Sequence, residues 1–172
     1  MQPIYTQTIG TNAPIAVGFN NIPQTFTDLK LLISARSNQA SSTNKFFTFY
    51  MNGTQATSYS SRRLTGDGSS ASSSAQANDS AIYINSTLPA ASVTANTFCN
   101  LEIYIPNYTS ANFKQVIIDG VLENNSTTAY QQMMAGLFRS TNPITSISLD
   151  VGDYGNGYVQ YSTFTLYGIT KG

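Results

Sequence analysis

Apolar residues in this chain recur at every second position in many short runs, and proline, glycine and asparagine separate one run from the next. Period two is the mark of a strand with one buried face, whereas an amphipathic helix repeats every three or four residues. Leu29, Leu31, Ile33 and Ala35 share one face, as do Phe47, Phe49 and Met51, and Leu101, Ile103 and Ile105. Further runs cover Phe113–Glu123, Ile144–Val151 and Tyr158–Ile169, and two weaker ones, Ile4–Ile9 and Ile15–Phe19, open the chain. The run Thr128–Phe138 admits helical spacing through Tyr130, Met133, Met134 and Leu137, but Gly136 interrupts it and no capping box precedes it, so a strand is preferred. Asn52-Gly53 predicts a two-residue hairpin turn, with Thr57–Leu64 as the return strand. The six prolines fall at the ends of these runs, as a hydrogen-bonded ladder requires.

About nine or ten short strands in one domain over 1–172 bury best as two packed sheets. The expected fold is all-β, an antiparallel β-sandwich of jelly-roll type. One segment, 66–77, lacks any large apolar residue and reads as a long Ser/Ala-rich loop. Loops of that length commonly bind something or pack on a neighbour.

Composition excludes much chemistry. The chain has no histidine, no tryptophan and one cysteine, Cys99. Ser-His-Asp and Cys-His arrangements, tetrahedral zinc sets and internal disulfides are therefore out of reach. Cys99 reads as a small buried hydrophobe. Eight basic and eight acidic residues cancel, and only 9% of residues are charged, while Ser, Thr and Asn supply 58 of 172. With no basic cluster beyond Arg62-Arg63, neither a nucleic-acid nor an anionic-membrane surface is expected. The N-terminus has no basic and apolar segment of a secretory signal, and no apolar run approaches a membrane span. Six Asn-x-Ser/Thr triplets follow from composition in a chain this rich in those residues.

Asp150 and Asp153 flank Val151-Gly152 ahead of a glycine-rich stretch. A calcium loop uses such oxygens, but EF-hand spacing and an acidic cluster are missing, so a polar turn is the preferred reading. No catalytic group, cofactor or metal is expected. Tyrosines supply large amphipathic area at low entropic cost, although ordinary cross-strand packing is the first explanation for each. The candidate interface or ligand contacts are Asp67, Ser69 and Ser70 in the long loop, with Tyr104, Tyr108, Tyr154 and Tyr158.

Several segments occur together in a recognisable order. They include Ile22-Pro23-Gln24-Thr25-Phe26-Thr27-Asp28-Leu29 with a strand ending at Arg36, Arg63-Leu64 with Gly66-Asp67-Gly68-Ser69-Ser70-Ala71-Ser72-Ser73, Thr94-Ala95-Asn96-Thr97-Phe98 and Glu102-Ile103-Tyr104-Ile105-Pro106-Asn107-Tyr108. Glu123-Asn124-Asn125-Ser126-Thr127-Thr128-Ala129-Tyr130, Ala135-Gly136-Leu137-Phe138, Ile144-Thr145-Ser146-Ile147, Val159-Gln160-Tyr161-Ser162-Thr163 and Leu166-Tyr167-Gly168-Ile169 complete the set. Over about residues 20–170 the chain resembles a family of small β-rich virion structural proteins of tailed bacteriophages, decoration-like or fibre-like, with Phe138 where a Trp is more common.

The resemblance implies a non-enzymatic role in the virion after synthesis in the host cytoplasm. A capsid decoration (cement) protein is the expected role, since strands begin within the first ten residues and leave no room for a fibre shaft. The alternative is a tail-fibre or adhesin module that binds a host surface glycan. The expected partners are other virion proteins and copies of the same chain, a homotrimer by analogy. A surface so poor in charge should make contacts that salt barely affects.

Overall fold

The computed structural model describes residues 1–40, 44–53, 57–125, 129–152 and 155–171, with Asn44 described by its backbone only. The described residues form twelve strands and no helix. The strands are β1 (Gln2–Thr8), β2 (Ala16–Phe19), β3 (Asp28–Ser34), β4 (Asn44–Met51), β5 (Tyr59–Gly66) and β6 (Ala71–Asp79). They continue with β7 (Ile82–Pro89), β8 (Asn100–Ile105), β9 (Lys114–Leu122), β10 (Tyr130–Phe138), β11 (Ile147–Val151) and β12 (Thr163–Ile169).

Two antiparallel sheets result, one of eight strands in the order β1-β12-β3-β8-β9-β10-β5-β6 and one of four in the order β2-β11-β4-β7. Setting aside β5, β6, β9 and β10 leaves β1-β12-β3-β8 facing β2-β11-β4-β7. That is the strand order of a jelly roll, two interleaved Greek keys. The four remaining strands are two inserted hairpins, β5–β6 between β4 and β7, and β9–β10 between β8 and β11. They dock side by side and lengthen one sheet into a wing.

The core lies between the sheets. Leu29, Leu31 and Ile33 from β3 and Leu101, Ile103 and Ile105 from β8 are buried, as are Phe47, Phe49 and Met51 from β4 and Ile147, Leu149 and Val151 from β11. The wing is packed on its inner side as well, because β7 crosses over β9, β10 and β5. Two glycines permit this approach. A Cβ on Gly136 would lie 2.6 Å from Ile82 Cδ1, and one on Gly120 would lie 2.6 Å from Leu101 Cδ1 and 3.1 Å from Thr87 Cγ2.

Four expectations need correction. The described residues hold twelve strands rather than nine or ten, because β6 and β7 carry too little alternation to be read as strands. Segment 66–77 is not a long loop: β6 begins at Ala71 and pairs with β5 along its length. The Asn52-Gly53 pair does adopt positive φ, 56° and 60°, but it does not close a hairpin between β4 and β5. β4 pairs with β11 and β7, while β5 joins the other sheet. Finally, Pro3 lies within β1 rather than at a boundary, which is tolerable because β1 is an edge strand. The strand read over 128–138 begins at Tyr130, and Thr128 lies outside the described residues.

Candidate functional site

Strand register assembles a continuous outer face on the wing. Along β9 the residues alternate strictly, with Val116, Ile118 and Leu122 buried and Ile117, Asp119 and Val121 exposed. β10 alternates in the same way, burying Met134 and Phe138 and exposing Met133 and Ala135. Pairing sets Tyr104, Ile117, Ala135, Arg62 and Ala75 in one row across five strands, and Glu102, Asp119, Met133, Leu64 and Ser73 in the next.

This face holds large apolar side chains open to solvent. Leu64 is 52% exposed, Met133 55% and Ile117 59%. They line a shallow groove of about 650 Å³ with Arg62, Ser73 and Ala75. Scattered exposed apolar residues are ordinary, but a contiguous group on one sheet face marks a surface that gains from being covered. The same face carries both signs of charge, Arg62 at one end and Asp119 and Glu102 at the other, with Lys30 2.8 Å from Glu102. Next to it runs β6, whose residues are exposed or partly exposed throughout, and which pairs on one side only among the described strands. An unpaired edge of this kind presents free N–H and C=O groups to a neighbour.

The candidates read from sequence are dispersed. Asp67, Ser69 and Ser70 form the turn of the β5–β6 hairpin. The Asp67 carboxylate accepts from the Ser69 and Ser70 N–H groups at 2.9 and 2.7 Å and from both hydroxyls at 2.9 and 3.1 Å. These four donors hold its pKa well below the usual carboxylate range and occupy its oxygens within the turn. Tyr104 stands on the outer face beside Ile117, with its hydroxyl donating to Asp28 Oδ2 at 2.6 Å.

Tyr108 and Tyr158 are corrections. Both are wholly buried, so neither serves as a surface contact. The Tyr108 hydroxyl donates to the Pro23 carbonyl, and Tyr158 stacks on Phe47, meets the Phe164 ring edge-on and donates to the Leu149 carbonyl at 3.2 Å. Tyr154 and Asp153 lie outside the described residues. Asp150 sits within β11 and not in a turn. Cys99 is buried, and desolvation raises its thiol to about 12.

Ile117, Val121, Met133 and Leu64 were missed as a group. Their strands were legible, except that which face of β9 and β10 is buried depends on β7, a strand that sequence did not reveal. Among the described residues no three His, Cys, Asp or Glu side chains cluster as metal ligands, and no helix is long and apolar enough to cross a membrane. Compared with known proteins, the chain matches no family model and no curated protein.

Proposed function

We propose that the protein is a non-enzymatic structural component of a tailed-bacteriophage virion, a capsid decoration subunit that associates with copies of itself. The virion assignment rests on the sequence resemblance. Self-association is carried by one observation, the open apolar face of Leu64, Ile117 and Met133 on the wing. A second copy suits this face because it holds its own complement: Arg62 of one copy can meet Asp119 of the next while the apolar centres cover each other. A trimer accords with the three-fold sites of phage capsids and fibres, by analogy alone.

Sedimentation of the purified chain across salt and concentration tests the association. An oligomer that persists in moderate salt, and that Ile117→Asp with Met133→Asp converts to a folded monomer, is the expected result. A wild-type monomer at micromolar concentration overturns it. Cryo-electron microscopy of the virion tests the location: density on the capsid lattice supports decoration, and density at fibre tips favours an adhesin.

A further inference from the structure

The outer face of the four-stranded sheet, on the opposite side of the sandwich, carries a separate feature. Thr48 lies on the outward side of β4. Its same-face neighbours along the strand are Phe46 and Tyr50, two residues away on either side. Across the sheet its register partners are Asp150 on β11 and Tyr83 on β7. A short side chain is thus surrounded by four longer ones, and Thr48 is only 6% exposed despite facing outward. The result is a cup of about 260 Å³ with Thr48 as its floor.

The walls are preorganised. The Phe46 and Tyr83 rings meet at 68° with centroids 5.9 Å apart and make one corner. The Tyr83 hydroxyl shares a hydrogen bond with Ser80 Oγ at 3.1 Å. Gly152 admits the Phe46 ring, since a Cβ there would fall 1.9 Å from it. Ile15 stands at the rim.

Three aromatic rings and a carboxylate share one preference. Ring faces carry negative quadrupole potential and attract cations. Glu102 and Asp28 are each paired with a lysine, at 2.8 and 3.2 Å, but no described cation pairs with Asp150. Partial burial pushes the Asp150 carboxyl above its usual range, as happens to an acid lacking compensation. An anionic ligand would be repelled here. A neutral sugar can stack on the rings and donate hydroxyls to the carboxylate, but it brings no opposite charge.

We propose that this cup binds an organic cation, an alkylammonium or guanidinium head group, against Phe46, Tyr50 and Tyr83 with Asp150 as counter-ion. The inference is independent of the proposed virion role and uses the opposite sheet. Amide chemical shifts of Thr48 and Asp150 in the full chain report on the cup. The probes are tetramethylammonium, N-acetyl-arginine amide, the neutral choline isostere 3,3-dimethylbutanol, and the neutral sugars glucose and galactose. Saturable shifts with a cation, at least about tenfold tighter than with the neutral isostere, are expected. Asp150→Asn and, separately, Tyr83→Leu should each weaken cation binding by about tenfold while retaining the β-sheet circular-dichroism spectrum. Stronger binding of the arginine probe would identify a protein side chain as the natural occupant, and stronger binding of tetramethylammonium a methylated ammonium. Equal binding of the isostere, a preference for a sugar, or no shift at millimolar concentrations would overturn the proposal.

Discussion

The hydroxyl of Tyr59 donates to the Met51 carbonyl at 3.1 Å and accepts from the Met51 N–H at 2.9 Å, so the first residue of the β5–β6 insertion is bonded to the last residue of β4. Its ring stacks on Phe138 at the end of β10, with centroids 4.8 Å apart and planes 15° from parallel. One buried side chain thus joins the jelly roll to both inserted hairpins. Burial raises its phenol to about 12, which keeps it protonated as a donor at any ordinary pH.

Tyr59→Phe keeps the stack and leaves both Met51 groups without this partner. The expected loss is about 1–3 kcal/mol in urea unfolding, the cost of stranding buried polar groups. Tyr59→Ala also opens a cavity and should cost about 3–5 kcal/mol. Retention of wild-type stability by Tyr59→Phe would remove its hydroxyl from this role.

Lys114 is 1% exposed, and its ammonium donates to three backbone carbonyls, Ser110 at 2.7 Å, Asn112 at 2.6 Å and Ser140 at 3.4 Å. Arg36 does the same for the 91–97 segment, donating to the carbonyls of Ala91, Val93, Thr94 and Thr97 at 2.8–3.2 Å. Each buried cation ties several carbonyls of an adjoining loop to one set of donors. Lys114→Met preserves shape and removes the donors, and should cost about 2–4 kcal/mol. Hydrogen exchange should quicken in residues 106–113 ahead of the rest. Uniform exchange across the molecule would contradict a local clamp.

Gly136→Ala places a methyl 2.6 Å from Ile82 Cδ1 and 2.7 Å from Val116 Cγ2. Overpacking of this kind costs about 1–3 kcal/mol. Ile82→Val removes the nearer atom, so the double variant should be more stable than the sum of the single losses predicts. Simple additivity in thermal or urea unfolding would show that β7 is not the strand that meets Gly136.

Two carboxylates should give stability opposite pH dependences. Burial alone would raise the Asp28 pKa, but hydrogen bonds from the Tyr104 hydroxyl and the Asn107 N–H, with Lys171 nearby, outweigh it and lower the value. A lowered folded pKa contributes stability above the unfolded value of ~3.9 that is lost as pH falls through the folded one. Asp28→Asn should therefore cost about 1–3 kcal/mol at neutral pH and flatten the acid limb. Asp150 is raised by burial, so its ionisation weakens the fold as pH rises through the folded pKa. Asp150→Asn should melt higher than wild type at pH 7 and show no gain below about pH 3.9, the unfolded value. A loss of stability at pH 7 would mean that its carboxylate has a compensating partner.

Strands with one buried face were legible because period-two alternation records burial directly, and β3, β4, β8, β9 and β10 lie where that alternation runs. β6 was missed because Ala71–Asp79 is exposed on both faces, so no buried face leaves a pattern. β7 was missed because Ile82 and Ile84 are followed by Asn85-Ser86-Thr87, with Ser86 at φ 62° breaking the strand's regularity. Asn52-Gly53 shows the limit from another side. Its positive φ values are local and were readable, but its partner strand is a matter of long-range register. In the fold the Asn52 side chain instead ties down 143–146, donating to the Pro143 carbonyl and accepting from the Thr145 N–H at 2.9 and 2.8 Å.

By itself the sequence determined an all-β chain and the period-two alternation of its clearest strands, for that depends on each residue's own polarity and its neighbours two places away. Only the tertiary structure decided which strands lie side by side. It carried the two hairpins into the wing and brought Leu64, Ile117 and Met133 onto one face. It also set Asp150 and Tyr83 on either side of Thr48, from strands distant in sequence. Sheet order and register arise from packing the whole chain at once, and no window of neighbouring residues contains that information.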